Sequence, residues 1–189
     1  MSAKPAKIIG ILSIVAGLIM LIAGAVTWAT VTSELKDERI TVAADADNFA
    51  GKPVAGPFTA FAEAQIIKKH ALHNEEFPAL DGKTYAELGG IGRKATADGD
   101  TALAEAATAM RTTAMNGSFL RASLFTSVVS YGIAALVMGL GILFGLIGWA
   151  LMNLARVLGV QDSKIEDRLQ AAGARAKDVL DRDKDGHIG

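Results

Sequence analysis

Two stretches of this chain contain no charged residue, Ile8 to Ser33 and Ala122 to Ala155. A helix that crosses a bilayer needs about 20 predominantly apolar residues, so each stretch is long enough to cross once. The second exceeds one crossing. Its buried part is placed at Phe125 to Leu151, with Ser/Thr-rich turns before it projecting from the lipid. Hydrophobic residues make up 51% of the chain and charged residues 21%, and the clustering of the apolar residues in two runs, more than the average, sets the class. The expected fold is mainly α: a two-helix transmembrane hairpin, a small helical exterior domain with minor β content, and a C-terminal cytoplasmic helix. Its boundaries fall at 1–7 (cytoplasmic N-terminus), 8–33 (first span), 34–121 (exterior domain), 122–155 (second span with an outer extension) and 156–189 (cytoplasmic helix and tail).

Lys4 and Lys7 precede the first run, and Arg156, Lys164 and Arg168 follow the second. Positive residues near span ends favour the cytoplasmic side, so both termini are expected inside and the central domain outside, in a bacterial plasma membrane; Lys36, Arg39 and Arg121 pull the other way. Trp28, Tyr131 and Trp149 stand toward the span ends, where aromatic side chains anchor at the interface. A cleaved signal peptide is the competing reading of the first run, with Ala23-Gly24-Ala25 as its small-residue site.

Gly10, Gly17 and Gly24 recur every seven residues in the first run; Gly132 and Gly139 repeat that interval in the second, where Gly141 and Gly145 form a Gly-x-x-x-Gly pair followed by Gly148. Small residues let helix backbones approach closely in lipid. These eight glycines are the expected helix-packing positions, within one hairpin or between copies. Neither run holds an ionisable residue, which argues against an ion or proton pathway.

Between the runs, "RITVAAD" alternates like a short strand. "GPFTAFAEAQIIKKHALH" reads as a helix opened by Pro57, with Phe58, Phe61, Ala62, Gln65 and Ile66 on one face. Asp81-Gly82 is a turn and Gly89-Gly90 a stop. "TADGD" is a loop, and a helix starts at Thr101. Asn116-Gly117-Ser118 is expected to interrupt it, with Ser118 capping the second span. The small expected core is Phe58, Phe61, Ile66, Ile67, Leu72, Phe77, Leu80, Tyr85 and Leu88. With no cysteine to cross-link it, a domain of this size is marginal alone and is expected to lean on the hairpin or a partner.

Several chemistries are excluded. The absence of cysteine removes disulfides, thiolate nucleophiles and cysteine-ligated metals. A net charge of −1 and a pI near 6.3 give no nucleic-acid footprint. "NGSFL" lacks the Gly-x-Ser-x-Gly frame of a nucleophile elbow, and "GGIG" lacks the lysine and Ser/Thr of a phosphate loop. His70 and His73, with Glu76 shortly after, are one candidate metal set; Lys68 and Lys69 beside them oppose a cation, and two histidines at that spacing are also common at the wet end of a helix.

The tail offers a second candidate. "VQDSKIEDRLQAAGARAKDVL" reads as a helix with a Ser163/Glu166 capping box and a stripe at Ile165, Leu169, Ala172, Ala176 and Val179, about two heptads and so short for a coiled coil. It is expected to end at Leu180. In "DRDKDGHIG", Asp181, Asp183, Asp185 and His187 fall at positions 1, 3, 5 and 7 of an EF-hand loop, with Gly186 at 6 and Ile188 at 8. The bidentate glutamate of position 12 has no counterpart, so calcium or magnesium binding is expected to be weak, on the order of 10⁻⁴ to 10⁻³ M. No other cofactor is expected.

"SELKDERITV", "AGPFTAFAEA", "GKTYAEL" and "MNGSFLRASLFTSVV" together resemble small two-span actinobacterial membrane proteins commonly labelled aromatic ring-opening dioxygenase (LigA), over roughly residues 8 to 150. That label implies a non-haem iron enzyme. Such iron takes two histidines and a carboxylate with open positions, and the central region supplies only His70 and His73 in a domain small for an aromatic diacid. The residues therefore favour a non-catalytic structural or accessory envelope protein whose partners are the bilayer and a second copy or another membrane protein. A divalent-cation-responsive membrane protein using the Asp-rich tail is the first alternative, and the dioxygenase is the second.

Overall fold

A computed structural model describes residues 3–185. It is mainly helical, with four helices among the described residues: α1 (Ala3–Asp37), α2 (Pro57–Ala71), α3 (Tyr85–Asp98) and α4 (Thr101–Asp185). Both α1 and α4 contain a segment long and apolar enough to cross a membrane. The chain divides into two compact units, Met1–Ile22 with Met138–Gly189, and Ala23–Val137.

In the first unit, one end of α1 packs against α4 through glycine. The pairs Gly10–Gly148 and Gly17–Gly141 run in opposite numerical order, so the two segments are antiparallel. The remaining faces are apolar and exposed: Leu18 56%, Ile19 62%, Leu146 58% and Trp149 64%.

The second unit holds two hydrophobic clusters. One is built on Leu35, Val42, Val54, Ala60, Ala64, Leu124 and Tyr131, the other on Leu80, Leu88, Ala107, Met110 and Ala114. The expected strand is reduced to an isolated antiparallel bridge, Thr41 with Pro53. Backbone hydrogen bonds from Val42 to Lys52 and from Val54 to Ile40, each 2.9 Å, hold the hairpin closed, and the alternation survives in that Val42 and Val54 both point into the core.

Pro57 does open α2, following an extended Gly56. Its buried face is Ala60, Glu63, Ala64 and Ile66; of the expected face Ile66 is buried, whereas Phe58 is 74% and Phe61 47% exposed. Small residues win this face because α4 comes so close. A Cβ on Gly117 would lie 2.5 Å from that of Ala71, and Arg121 Nε donates to the Ala64 carbonyl at 2.9 Å.

Three expected helix boundaries are absent. Gly89 and Gly90 lie inside α3, which is opened by a Thr84/Glu87 capping box and closed by Gly99 at φ 78°, a left-handed conformation suited to glycine. Gly89 and Gly92 there accept the close approach of Arg111 and Ala107. Asn116-Gly117-Ser118 does not break α4; Ser118 Oγ donates to the Ala114 carbonyl at 2.8 Å, the bond of a serine within a helix, so it caps nothing. The tail is not a separate helix either: α4 is continuous through Ser163 and Glu166 and past Leu180 to Asp185. The EF-hand-like positions lie outside the described residues, His187 wholly and Asp181, Asp183 and Asp185 in their side chains.

Candidate functional site

The glycine seam brings α1 and α4 backbone against backbone in the first unit. A Cβ on Gly17 would meet the Gly141 carbonyl oxygen at 2.5 Å and the Gly145 nitrogen at 2.9 Å; one on Gly141 would meet the Gly17 carbonyl oxygen at 2.7 Å; one on Gly148 would meet the Gly10 carbonyl oxygen at 2.5 Å. These are backbone atoms, which cannot swing aside, so the seam requires glycine. Of the eight expected packing positions, Gly10, Gly17, Gly141 and Gly148 form it, and Gly145 touches it through its backbone nitrogen. Gly24 is buried in register with Gly10 and Gly17. Gly132, Gly139 and Gly145 have open space where a side chain would stand. The seven-residue interval explains the split: Ala134, Gly141, Gly148 and Ala155 are buried along one face of α4, while Gly132 and Gly139 share an exposed one.

A second site lies in the other unit, where α2 ends. His70 Nε2 is 2.8 Å from Asp45 Oδ2, and His73 Nδ1 is 2.8 Å from Asp81 Oδ1. An ionised carboxylate can only accept, so each ring nitrogen donates. Both pairs border one open cleft of about 780 Å³ that also takes in Gln65, Lys68 and Lys69. The Asp81-Gly82 turn organises it. Asp81 Oδ1 also accepts from Asn74 N at 2.9 Å, Asn74 Oδ1 accepts from Phe77 N at 2.7 Å, and Gly82 N donates to the Leu72 carbonyl at 2.7 Å, with Gly82 at φ 69°.

Electrostatics follow these bonds. The Asp81 carboxylate, then that of Glu75, raises the His73 imidazole above its ordinary range. The Asn74 amide, followed by His73, holds Asp81 below the ordinary carboxylate range. The His70 hydrogen bond does the same for Asp45. The expected set His70, His73 and Glu76 is not gathered: each histidine faces its own aspartate, and the glutamate that reaches His73 is Glu75, at 3.4 Å. Asp45 and Asp81 are the partners that sequence reasoning missed. Asp81 announced itself only as a turn residue, and Asp45 carried no local signal.

The third polar feature is buried. Tyr131 is 1% exposed, so it is not the interface anchor expected from its position. Its ring meets Trp28 edge-on, with centroids 4.7 Å apart, and its Oη lies 2.8 Å from Thr32 Oγ1. Thr32 donates to the Trp28 carbonyl at 2.9 Å, which leaves its oxygen to accept from Tyr131. The arrangement satisfies both hydroxyls and fixes one face of α1 against α4.

Compared with protein-family models, curated proteins and solved structures, the chain matches none.

Proposed function

We propose that this chain is an integral membrane protein whose α1 and α4 cross the bilayer as an antiparallel hairpin, with residues 34–121 on the outer side and both ends inside. It acts without catalysis, as a structural or accessory protein of the cell envelope that works through contacts with other proteins. The observation that carries this reading is the glycine seam set beside the exposed faces. Small residues bring two apolar segments together, while large aliphatic side chains cover the surfaces turned away from the contact. That is the reverse of a water-soluble helix pair, which buries its large apolar residues and exposes polar ones, and it is the arrangement that lipid favours. Non-catalytic action draws its support from the two histidines, each occupied by a separate carboxylate at the surface and not aimed together into an enclosed cavity. The outward Gly132 and Gly139 offer a close-packing face to a second copy.

The absence of native cysteine makes the test clean. Single cysteines introduced at Lys52 and at Gly173 are treated with a membrane-impermeant maleimide on intact cells. Labelling at 52 alone is expected, with 173 reacting only after permeabilisation. The reverse pattern would invert the topology, and release of the protein by alkaline carbonate would reject the membrane assignment.

A further inference from the structure

The first unit also holds a cleft of about 690 Å³, bounded by Lys4 and Lys7 on α1 and by Met152, Ala155, Arg156, Gly159 and Ser163 on α4. Lys7 is the residue before one uncharged run and Arg156 the residue after the other, so the ends of both runs meet here. Among the described residues, three cations border the cleft and no carboxylate does. Among the described residues, none of the three takes part in an ion pair. Like charges brought together repel unless something anionic sits among them. The floor, by contrast, is apolar. Met152 lies on it, and the same side chain is within 3.0 Å of a Cβ built on Gly10, so the cleft opens where the glycine seam ends.

We infer that this cleft binds the phosphate of an anionic membrane lipid, with Lys4, Lys7 and Arg156 around the headgroup and the Met152–Ala155 floor against the start of its acyl chains. The inference rests on the reading that α1 and α4 cross a bilayer. It adds to that reading a specific site: the charges that bound the two runs converge on one pocket, at the depth where lipid phosphates lie. Gly159 leaves the α4 wall low, and arginine offers paired N–H donors suited to phosphate oxygens.

The experiment uses the full chain in mild detergent, titrated with dioleoylphosphatidylglycerol, with dioleoylphosphatidylcholine, or with the former plus millimolar inorganic phosphate, and read by native mass spectrometry. Retention of the anionic lipid over the zwitterionic one is expected. A Lys4→Gln/Lys7→Gln/Arg156→Gln variant should lose roughly a hundredfold of that retention, since each of the three cations near a charged lipid surface contributes about fivefold. A charge-matched Lys52→Gln/Lys68→Gln/Lys83→Gln variant should keep it. Equal retention by both variants, or no preference between the lipids, overturns the site. Full displacement by inorganic phosphate overturns the lipid as its occupant. Alkaline carbonate extraction of the cell membranes, before any detergent is added, separates the two failures: a protein that stays in the membrane but shows no lipid preference loses the cleft alone, whereas a protein that is released loses both readings.

Discussion

Tyr131 Oη lies 2.8 Å from Thr32 Oγ1, across 99 residues of chain. The contact joins α1 to α4 inside a core that also contains Leu35, Ala60 and Leu124. Removing the hydroxyl alone, with Tyr131→Phe, leaves the ring on Trp28 and the Thr32 oxygen without its donor. We predict a loss of about 1 kcal/mol, the usual net worth of such a bond. Tyr131→Ala removes the buried ring as well and should cost about 3–5 kcal/mol. Thermal unfolding in detergent checks both. A double-mutant cycle with Thr32→Val should give a coupling of about 1 kcal/mol, and additive losses would show that the two hydroxyls do not interact.

The seam predicts an asymmetry among glycines that look alike in sequence. Gly17→Ala and Gly148→Ala push a methyl group into backbone at 2.5 Å, and should each cost about 1–3 kcal/mol as overpacking does. Gly139→Ala meets open space and should be neutral or stabilising by up to about 1 kcal/mol, because alanine is the better helix former. Unfolding midpoints of the three variants in one detergent decide the matter. If Gly139→Leu keeps the stability but reduces oligomer size in crosslinking, the outward glycines serve a second copy.

The sequence shows most of this and hides the rest for identifiable reasons. Pro57, Thr101 and the Asp81-Gly82 turn are legible because each acts locally, through a fixed φ, a helix start or a left-handed backbone. The seven-residue recurrence of Gly10 and Gly17 marks a face before any partner is known. Gly117 and Gly89 mislead because glycine is read as punctuation by default, whereas here each lies within a helix: at Gly117 the Ala71 Cβ approaches too closely for a side chain, and at Gly89 the Arg111 side chain packs tightly against the backbone. The helical spacing of Phe58, Phe61 and Ile66 points to a core face, but Ala60 and Ala64 take the inner side of α2 because they permit the shorter distance to α4. The pairing of His70 with Asp45 and of His73 with Asp81 depends on how the loops return to α2, which no local pattern encodes.

The His73–Asp81 pair gives the 72–82 loop a pH dependence whose sign can be worked out. His73 is raised by Asp81 and Glu75, so its contribution is complete below the unfolded value of about 6.5 and is lost as pH rises through the folded value. Asp81 is lowered by the Asn74 amide and His73, so its contribution is present above about 3.9 and is lost as pH falls through the folded value. The loop is therefore held best between about pH 4 and 6.5. We predict that an NMR titration of the His73 ring shows a midpoint above that of the Asp81→Asn variant, and that the variant flattens the pH profile of loop protection. Coincident midpoints would mean that the pair is not formed in solution.

Glu63 makes the last prediction, because it is the buried charged residue of α2, 8% exposed, and its Oε2 accepts from Ala43 N at 3.0 Å. That bond ties the 40–54 hairpin to α2 beside Val42 and Val54. Glu63→Ala leaves the Ala43 amide without its acceptor and opens a gap beneath the hairpin. A buried unsatisfied group costs about 1–3 kcal/mol, so the variant should be destabilised by that amount, with the loss of protection concentrated at residues 40–54. Glu63→Gln keeps a carbonyl oxygen in the same place and should recover most of it. Hydrogen exchange of the Ala43, Val42 and Val54 amides reads the result directly. If Glu63→Gln were as damaging as Glu63→Ala, the negative charge itself, and not the acceptor oxygen, would be what holds the hairpin to the helix.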